Sequence, residues 1–302
     1  MNKKLKTTLK LIVGLAIFAF LIYQVGLKEI ENAIINLKFI YLIPVIILYF
    51  LFMLMGSLKY NCLISHYKKI KFKTTFKYYL HSWALGMVSP ARIGDFSLAY
   101  FLKKEGFEIG KGFAIVITDK IISFIVLAIF SIIGALIFLS SKEIIIIALV
   151  FIALIILGLI TISSRKIKDI IKKYLDRLSL FFQTLRDFEH NKKIILKNLF
   201  YTILKSVFQA GIMYLLFISF NADISLIEVI LIDSLSMIFT WIPVTLSGLG
   251  IKQSVGLFLY AKLGIDNGII LGNQIIVVII NYLVALLVFI YYLSEKKKSS
   301  PQ

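Results

Sequence analysis

Six separate runs of mostly apolar residues, each close to the 20 or so that cross a bilayer, constrain this chain more than any other feature. They fall at about 9–26, 39–58, 113–139, 143–163, 199–220 and 269–292. Hydrophobic residues make up 60% of the 302 and charged residues 17%, against about 45–50% and about 25% in soluble domains. A water-soluble fold of this size has too little interior for that much apolar surface, and disorder requires low hydrophobicity. The chain therefore reads as an all-α polytopic membrane protein. The first run follows several lysines, as a signal peptide would. Residues 24–28 offer no small-x-small cleavage site, so it is read as a retained span. One cysteine, Cys62, excludes an internal disulfide, and three scattered histidines give no metal spacing.

The net charge of +18 is informative through its distribution. Twenty-seven of the 34 basic residues lie in five polar segments: the N-terminus, 59–77, 92–111, 165–197 and the tail. Lys and Arg concentrate in cytoplasmic loops, so topology accounts for the charge and nucleic acid is not expected as a partner. The rule places both termini on the cytoplasmic side of a cell membrane. It also divides the chain into a membrane half (1–163), a basic cytoplasmic linker (164–198) and a second membrane half (199–302). That linker reads as an amphipathic surface helix drawn to anionic lipid, or as a docking segment.

Two segments remain. Residues 74–112 begin and end on the basic side, while 226–268 begin and end on the other. Each is broken in its middle, at Ser89-Pro90-Ala91-Arg92-Ile93-Gly94-Asp95 and across 243–253. Non-helical backbone at membrane depth survives only inside protein or beside water. Both are expected to be re-entrant helical hairpins entering from opposite faces, a possible inverted repeat of the kind that marks transporter binding sites. The alternative is a pair of kinked helices.

The breaks suit an anion. Ser89 is expected to cap a half-helix beginning at Pro90, and Ser247 one opening at Gly248. Helix N-termini bind anions, Arg92 offers a bidentate grip, and Asp95 lies three residues on, within reach of it. Ionisable residues inside apolar runs are costly and usually functional. Asp233, on a short side chain, is the strongest of these. Asp119 and Lys120, near the end of the third run, fit a polar interior or the interface. Lys205 reads as snorkelling to the interface, and Trp83 and Trp241 as interfacial belt residues.

Three elements resemble the lysylphosphatidylglycerol synthase transmembrane, or flippase-like, family. Pro90-x-Arg92-x-Gly94-Asp95 is similar to its P-x-R-x-G-E element. Asp119-Lys120 stands where the family often has Glu-Arg. The stretch 242–253 looks like I-P-x-x-x-G-G-L-G-x-R-E, with Ser247, Gly248, Gly250, Lys252 and Gln253 at the matching positions. Asp95 and Lys252 shorten or alter the charged reach, Ser247 replaces a Gly, and Gln253 removes a charge. The resemblance implies a role in moving lipids between leaflets and adds those residues to the expected substrate-binding set. Members fused to a synthase join lysine to phosphatidylglycerol, but no polar segment here is long enough for that domain.

No enzyme is expected. Residues 106–112 fall one short of a P-loop, lack its hydroxyl and read as a loop. His66, His81 and His190 read as lone interfacial histidines with no catalytic partners. No cofactor is expected. The leading expectation is a flippase or scramblase for a phosphate-bearing lipid, either a phospholipid or a lipid-linked sugar. The rivals are a non-catalytic accessory subunit of a glycosyltransferase or lipid-modifying enzyme, and a small-solute transporter.

Overall fold

A computed structural model describes residues 12, 15–17, 19–89, 92–146, 183–184, 186–188, 190–241, 245 and 247–299. Most of the fourth apolar run and of the basic linker, and part of the first run, lie outside the described residues. Every regular element among those described is helical. In chain order they are α1 (Leu27–Ile35), α2 (Leu42–Tyr67), α3 (Phe72–Met87), α4 (Ser97–Lys103), α5 (Ile109–Phe138), α6 (Lys192–Ser219), α7 (Leu226–Ile238), α8 (Ile251–Ala261) and α9 (Asn267–Ser299).

Among the described residues, four helices are long and apolar enough to cross a membrane: 39–67 containing α2, then α5, α6 and the first 26 residues of α9. They coincide with four of the six apolar runs. Their outward faces are apolar. Ile43, Ile46 and Phe50 on α2, and Ile129, Ile132 and Leu136 on α5, are all exposed and recur at helical spacing. Lipid, not water, is the solvent that such stripes suit, and the protein is a multi-pass membrane protein.

The helices run further than the apolar runs. α2 continues nine residues past position 58 because Tyr60, Leu63 and Ile64 are buried against protein. Protein packing extends it where hydropathy alone ends it. Likewise α5 starts at Ile109, so Gly110, Lys111 and Gly112 belong to its first turn and are not in a loop. α2 lies along α6, α5 against α7, and α3 against α9.

The two broken segments fold as hairpins. After α3, the short helix α4 packs back against it. Lys68 Nζ donates to the Glu105 carbonyl at 2.6 Å and Tyr78 Oη to Glu105 Oε1 at 2.7 Å, closing the mouth of this first hairpin. The second runs in along α7 and back along α8, and Ala222, Ile224 and Ile265 share one buried cluster at its mouth. Its entry helix is started by a capping box: Ser225 Oγ accepts from Glu228 N at 3.2 Å while Glu228 Oε2 accepts from Ser225 N at 2.7 Å. α5 joins the two ends of the bundle, its 30 residues spanning about 45 Å. It begins just after Glu105, and at its other end Lys262 Nζ, beyond α8, donates to the Phe138 carbonyl at 3.2 Å and pairs with Glu143 at 2.7 Å. The hairpins therefore open at opposite ends of α5.

Candidate functional site: a charged chamber between two hairpin tips

The tip of the first hairpin is built on close backbone approach. A Cβ on Gly94 would overlap the Leu85 carbonyl, and one on Gly86 would overlap Asp95 Oδ1. Only bare backbone at both positions lets the carboxylate of Asp95 sit against α3. Ser89 fastens the turn, its Oγ accepting from Gly94 N at 2.7 Å and donating to the Gly86 carbonyl at 3.1 Å. The half-helix start expected at Pro90 lies outside the described residues. A 3-10 turn, Ile93–Phe96, precedes α4, and Arg92 ahead of it adopts the left-handed conformation at φ 54.

Asp95, buried, holds two cations. Arg92 Nε lies 3.3 Å from Asp95 Oδ2, realising the contact expected from their spacing. Lys120 Nζ from α5 bonds the same oxygen. One residue earlier on α5, Asp119 faces another way. It pairs with Lys59 of α2 at 2.9 Å, with the two side chains 1% and 4% exposed, and accepts from Asn198 Nδ2 of α6 at 3.1 Å. Lys59 also donates to Ser123 Oγ at 2.8 Å. Asp119 and Lys120 thus both point inward, which decides between the two readings of them.

The second tip has a matching pair. Asp233 of α7 bonds Lys252 of α8 at 2.6 Å and accepts from Gln209 Nε2 of α6 at 2.8 Å. α8 begins at Ile251, three residues later than expected, with Gly250 as its N-cap at φ 84. Gln253, not Ser247, supplies the side-chain cap, its Oε1 accepting from Gly250 N at 2.7 Å. Ser247, Gly248 and Gln253 line the chamber; Gly250 is buried behind it.

Two adjoining cavities, of about 120 and 200 Å³, occupy the space between the tips. Arg92 of the first hairpin and Asp233 of the second line both. Lys252 and Gln253 line the first, while Lys59, Asp95, Lys120 and Lys205 line the second. The chamber so defined brings together Arg92, Asp95, Lys120, Asp233, Ser247, Gly248, Lys252 and Gln253, with Asp119 one shell behind through Lys59. Lys205 stands midway along α6, about 20 Å from either end, so it does not snorkel. Trp83 is likewise no belt residue: it is 3% exposed, lines the chamber and meets Tyr49 edge-on at 6.5 Å. His81 is buried against Phe101 and Tyr292 and not interfacial, whereas His66 packs against Tyr67 and Phe188.

Sequence reasoning missed Lys59, Asn198 and Gln209. Lys59 was hidden by its neighbours, being counted with the basic segment 59–77 and so read as cytoplasmic charge. Lys205 carried its own signal, since a lysine reach of a few ångströms cannot cover about 20 Å of helix.

A bundle of membrane-length helices around two interrupted hairpins defines a class of integral membrane proteins with a buried polar centre. Residues 7–288 match the model of the lysylphosphatidylglycerol synthase TM region, and the chain belongs to that family. No curated protein matches it. Both broken tips and the charged pairs between them fall inside the matched span.

Proposed function

We propose that this protein moves a phosphate-bearing lipid between leaflets, as a flippase or scramblase, with no enzymatic step of its own. In this reading the two hairpins are re-entrant from opposite membrane faces, the Lys-rich ends lie on the cytoplasmic side of the cell membrane, and acyl chains stay in lipid while the headgroup crosses the chamber. One observation carries the reading: hairpins that open at opposite ends of α5 bring their tips to a single charged chamber lined by Arg92 and Asp233. Ionisable groups at such depth are costly and mark a path for polar cargo. Family membership supports a lipid-related role.

The residues divide the work. Beyond the Nε–H aimed at Asp95 and the Nη1 contact to Met87 Sδ, Arg92 has further guanidinium N–H groups suited to phosphate oxygens. Asp95 steadies Arg92 and Lys120 when no headgroup is present. Asp233 and Lys252 give a neutralised pair on the opposite tip, able to exchange partners as a headgroup passes. No nucleotide motif supplies energy, so movement runs downhill or couples to a gradient or a partner.

The test is transbilayer movement of fluorescent phospholipids and of a polyprenyl-phosphate sugar in liposomes holding the purified protein, with Arg92→Ala alongside. Movement by the wild type that Arg92→Ala abolishes supports transport. Absence of movement for every lipid with folded protein overturns it and leaves an accessory subunit of a lipid-modifying enzyme or glycosyltransferase.

A further inference from the structure

Charge in the chamber does not balance, and the imbalance has a location. Lys59 with Asp119, and Lys252 with Asp233, form closed pairs. Asp95 alone serves both Arg92 and Lys120, which leaves one positive charge over. Lys205 is the second. Among the described residues it has no carboxylate or hydrogen-bond partner, and its ammonium lies over the faces of Phe52 at 4.9 Å and Tyr79 at 5.7 Å. Ring faces attract a cation but supply no oxygen. Five cations against three carboxylates leave two positive charges, and Arg92, Lys120 and Lys205 all face the cavity of about 200 Å³.

We infer that this cavity takes a doubly charged phosphate monoester, with Lys205 as its anchor opposite the Arg92–Lys120 clamp. The inference rests on the headgroup reading above and narrows it to one charge class. A phosphate monoester carries close to two negative charges at neutral pH and matches the surplus. A phosphodiester headgroup carries one and leaves a half-buried cation uncompensated. A zwitterionic headgroup brings a further cation toward a region already in excess. Buried charge without a partner is strongly disfavoured, so the ranking is monoester over diester over zwitterion.

The test is binding, measured apart from movement, on the full chain in nanodiscs or mild detergent. The ligands are short-chain phosphatidate, phosphatidylglycerol, phosphatidylcholine and inorganic phosphate. Phosphatidate is expected to bind at least about tenfold more tightly than phosphatidylglycerol, the scale of one charge-assisted hydrogen bond, and more tightly still than phosphatidylcholine. Lys205→Gln is expected to erase the first difference, and Lys205→Arg to keep it. Equal affinity for phosphatidate and phosphatidylcholine, or a folded Lys205→Gln protein with the wild-type ranking, overturns the proposal. If Lys205→Gln does not fold, the wild-type ranking decides. Inorganic phosphate binding as tightly as phosphatidate supports the dianion site and removes the lipid reading instead, so the two fail separately. Loss of lipid movement with the ranking intact likewise counts against transport alone.

Discussion

Lys252 Nζ lies 2.6 Å from Asp233 Oδ1, a bond that ties α8 to α7 across the break of their own hairpin. Gln209 holds the other carboxylate oxygen from α6, so the second tip is fixed to the long-helix frame through one aspartate. With Asp95 binding Arg92 and Lys120, each tip is organised by a single acid that meets side chains from different elements.

The Asp233–Lys252 pair is expected to show strong coupling. Asp233→Asn leaves Lys252 facing the chamber without a charge partner and is expected to cost about 2 kcal/mol, toward the lower end for a buried pair because Lys252 is partly exposed. Asp233→Asn combined with Lys252→Gln removes both charges and is expected to lose less than either single change. A double-mutant cycle on thermal unfolding in detergent measures this. Additive losses would mean that the bond contributes nothing.

A different outcome is expected at Lys59 and Asp119. This pair is more deeply buried and is closed by Asn198 and Ser123. Removing one partner, as in Asp119→Asn, is expected to cost about 3–5 kcal/mol. Replacing both with apolar residues of similar volume is expected to restore much of that. Unfolding of Asp119→Asn, Lys59→Met and Lys59→Met/Asp119→Leu separates the cases. The pair joins α2, α5 and α6, so its loss is expected to appear as lower stability of the whole bundle.

Gly86→Ala tests the first tip. A Cβ there occupies the place of Asp95 Oδ1, so the carboxylate has to leave Arg92 and Lys120 or α3 has to shift. Overpacking of this kind costs about 1–3 kcal/mol. Binding of a phosphate ligand is expected to change as well, because the clamp loses its shared acid. Gly211→Ala is the control, a glycine on α6 whose added Cβ would meet only the Leu48 Cδ1 methyl at 3.0 Å, at the end of a flexible side chain.

The membrane-length helices were legible because a bilayer demands long apolar runs, and both breaks were legible because Pro and Gly interrupt them. The Arg92–Asp95 contact followed from spacing. What the sequence could not display was rotation and register between helices. Asp119 and Lys120 are adjacent, yet a turn of about 100° per residue sends one to Lys59 on α2 and the other to Asp95 on the hairpin tip. Lys59 illustrates the same limit: only burial of Tyr60, Leu63 and Ile64 against protein carries α2 past its apolar run. Ser89 and Ser247 were legible as turn residues but not in detail, because whether a serine caps a helix or fastens a loop depends on where the next helix begins.

The opposed mouths of the hairpins give the most direct test of topology. Lys103 ends the return of the first hairpin, and Asn267 follows that of the second; both are exposed and lie near opposite ends of α5. In a Cys62→Ala background, Lys103→Cys and Asn267→Cys are expected to react with a membrane-impermeant thiol reagent from opposite sides of sealed vesicles. The positive-inside rule assigns Lys103 to the cytoplasmic side, where Lys68 also lies, its ammonium donating to the Glu105 carbonyl. Labelling of both from one side would place the two mouths together and remove the opposed arrangement on which passage through the chamber depends.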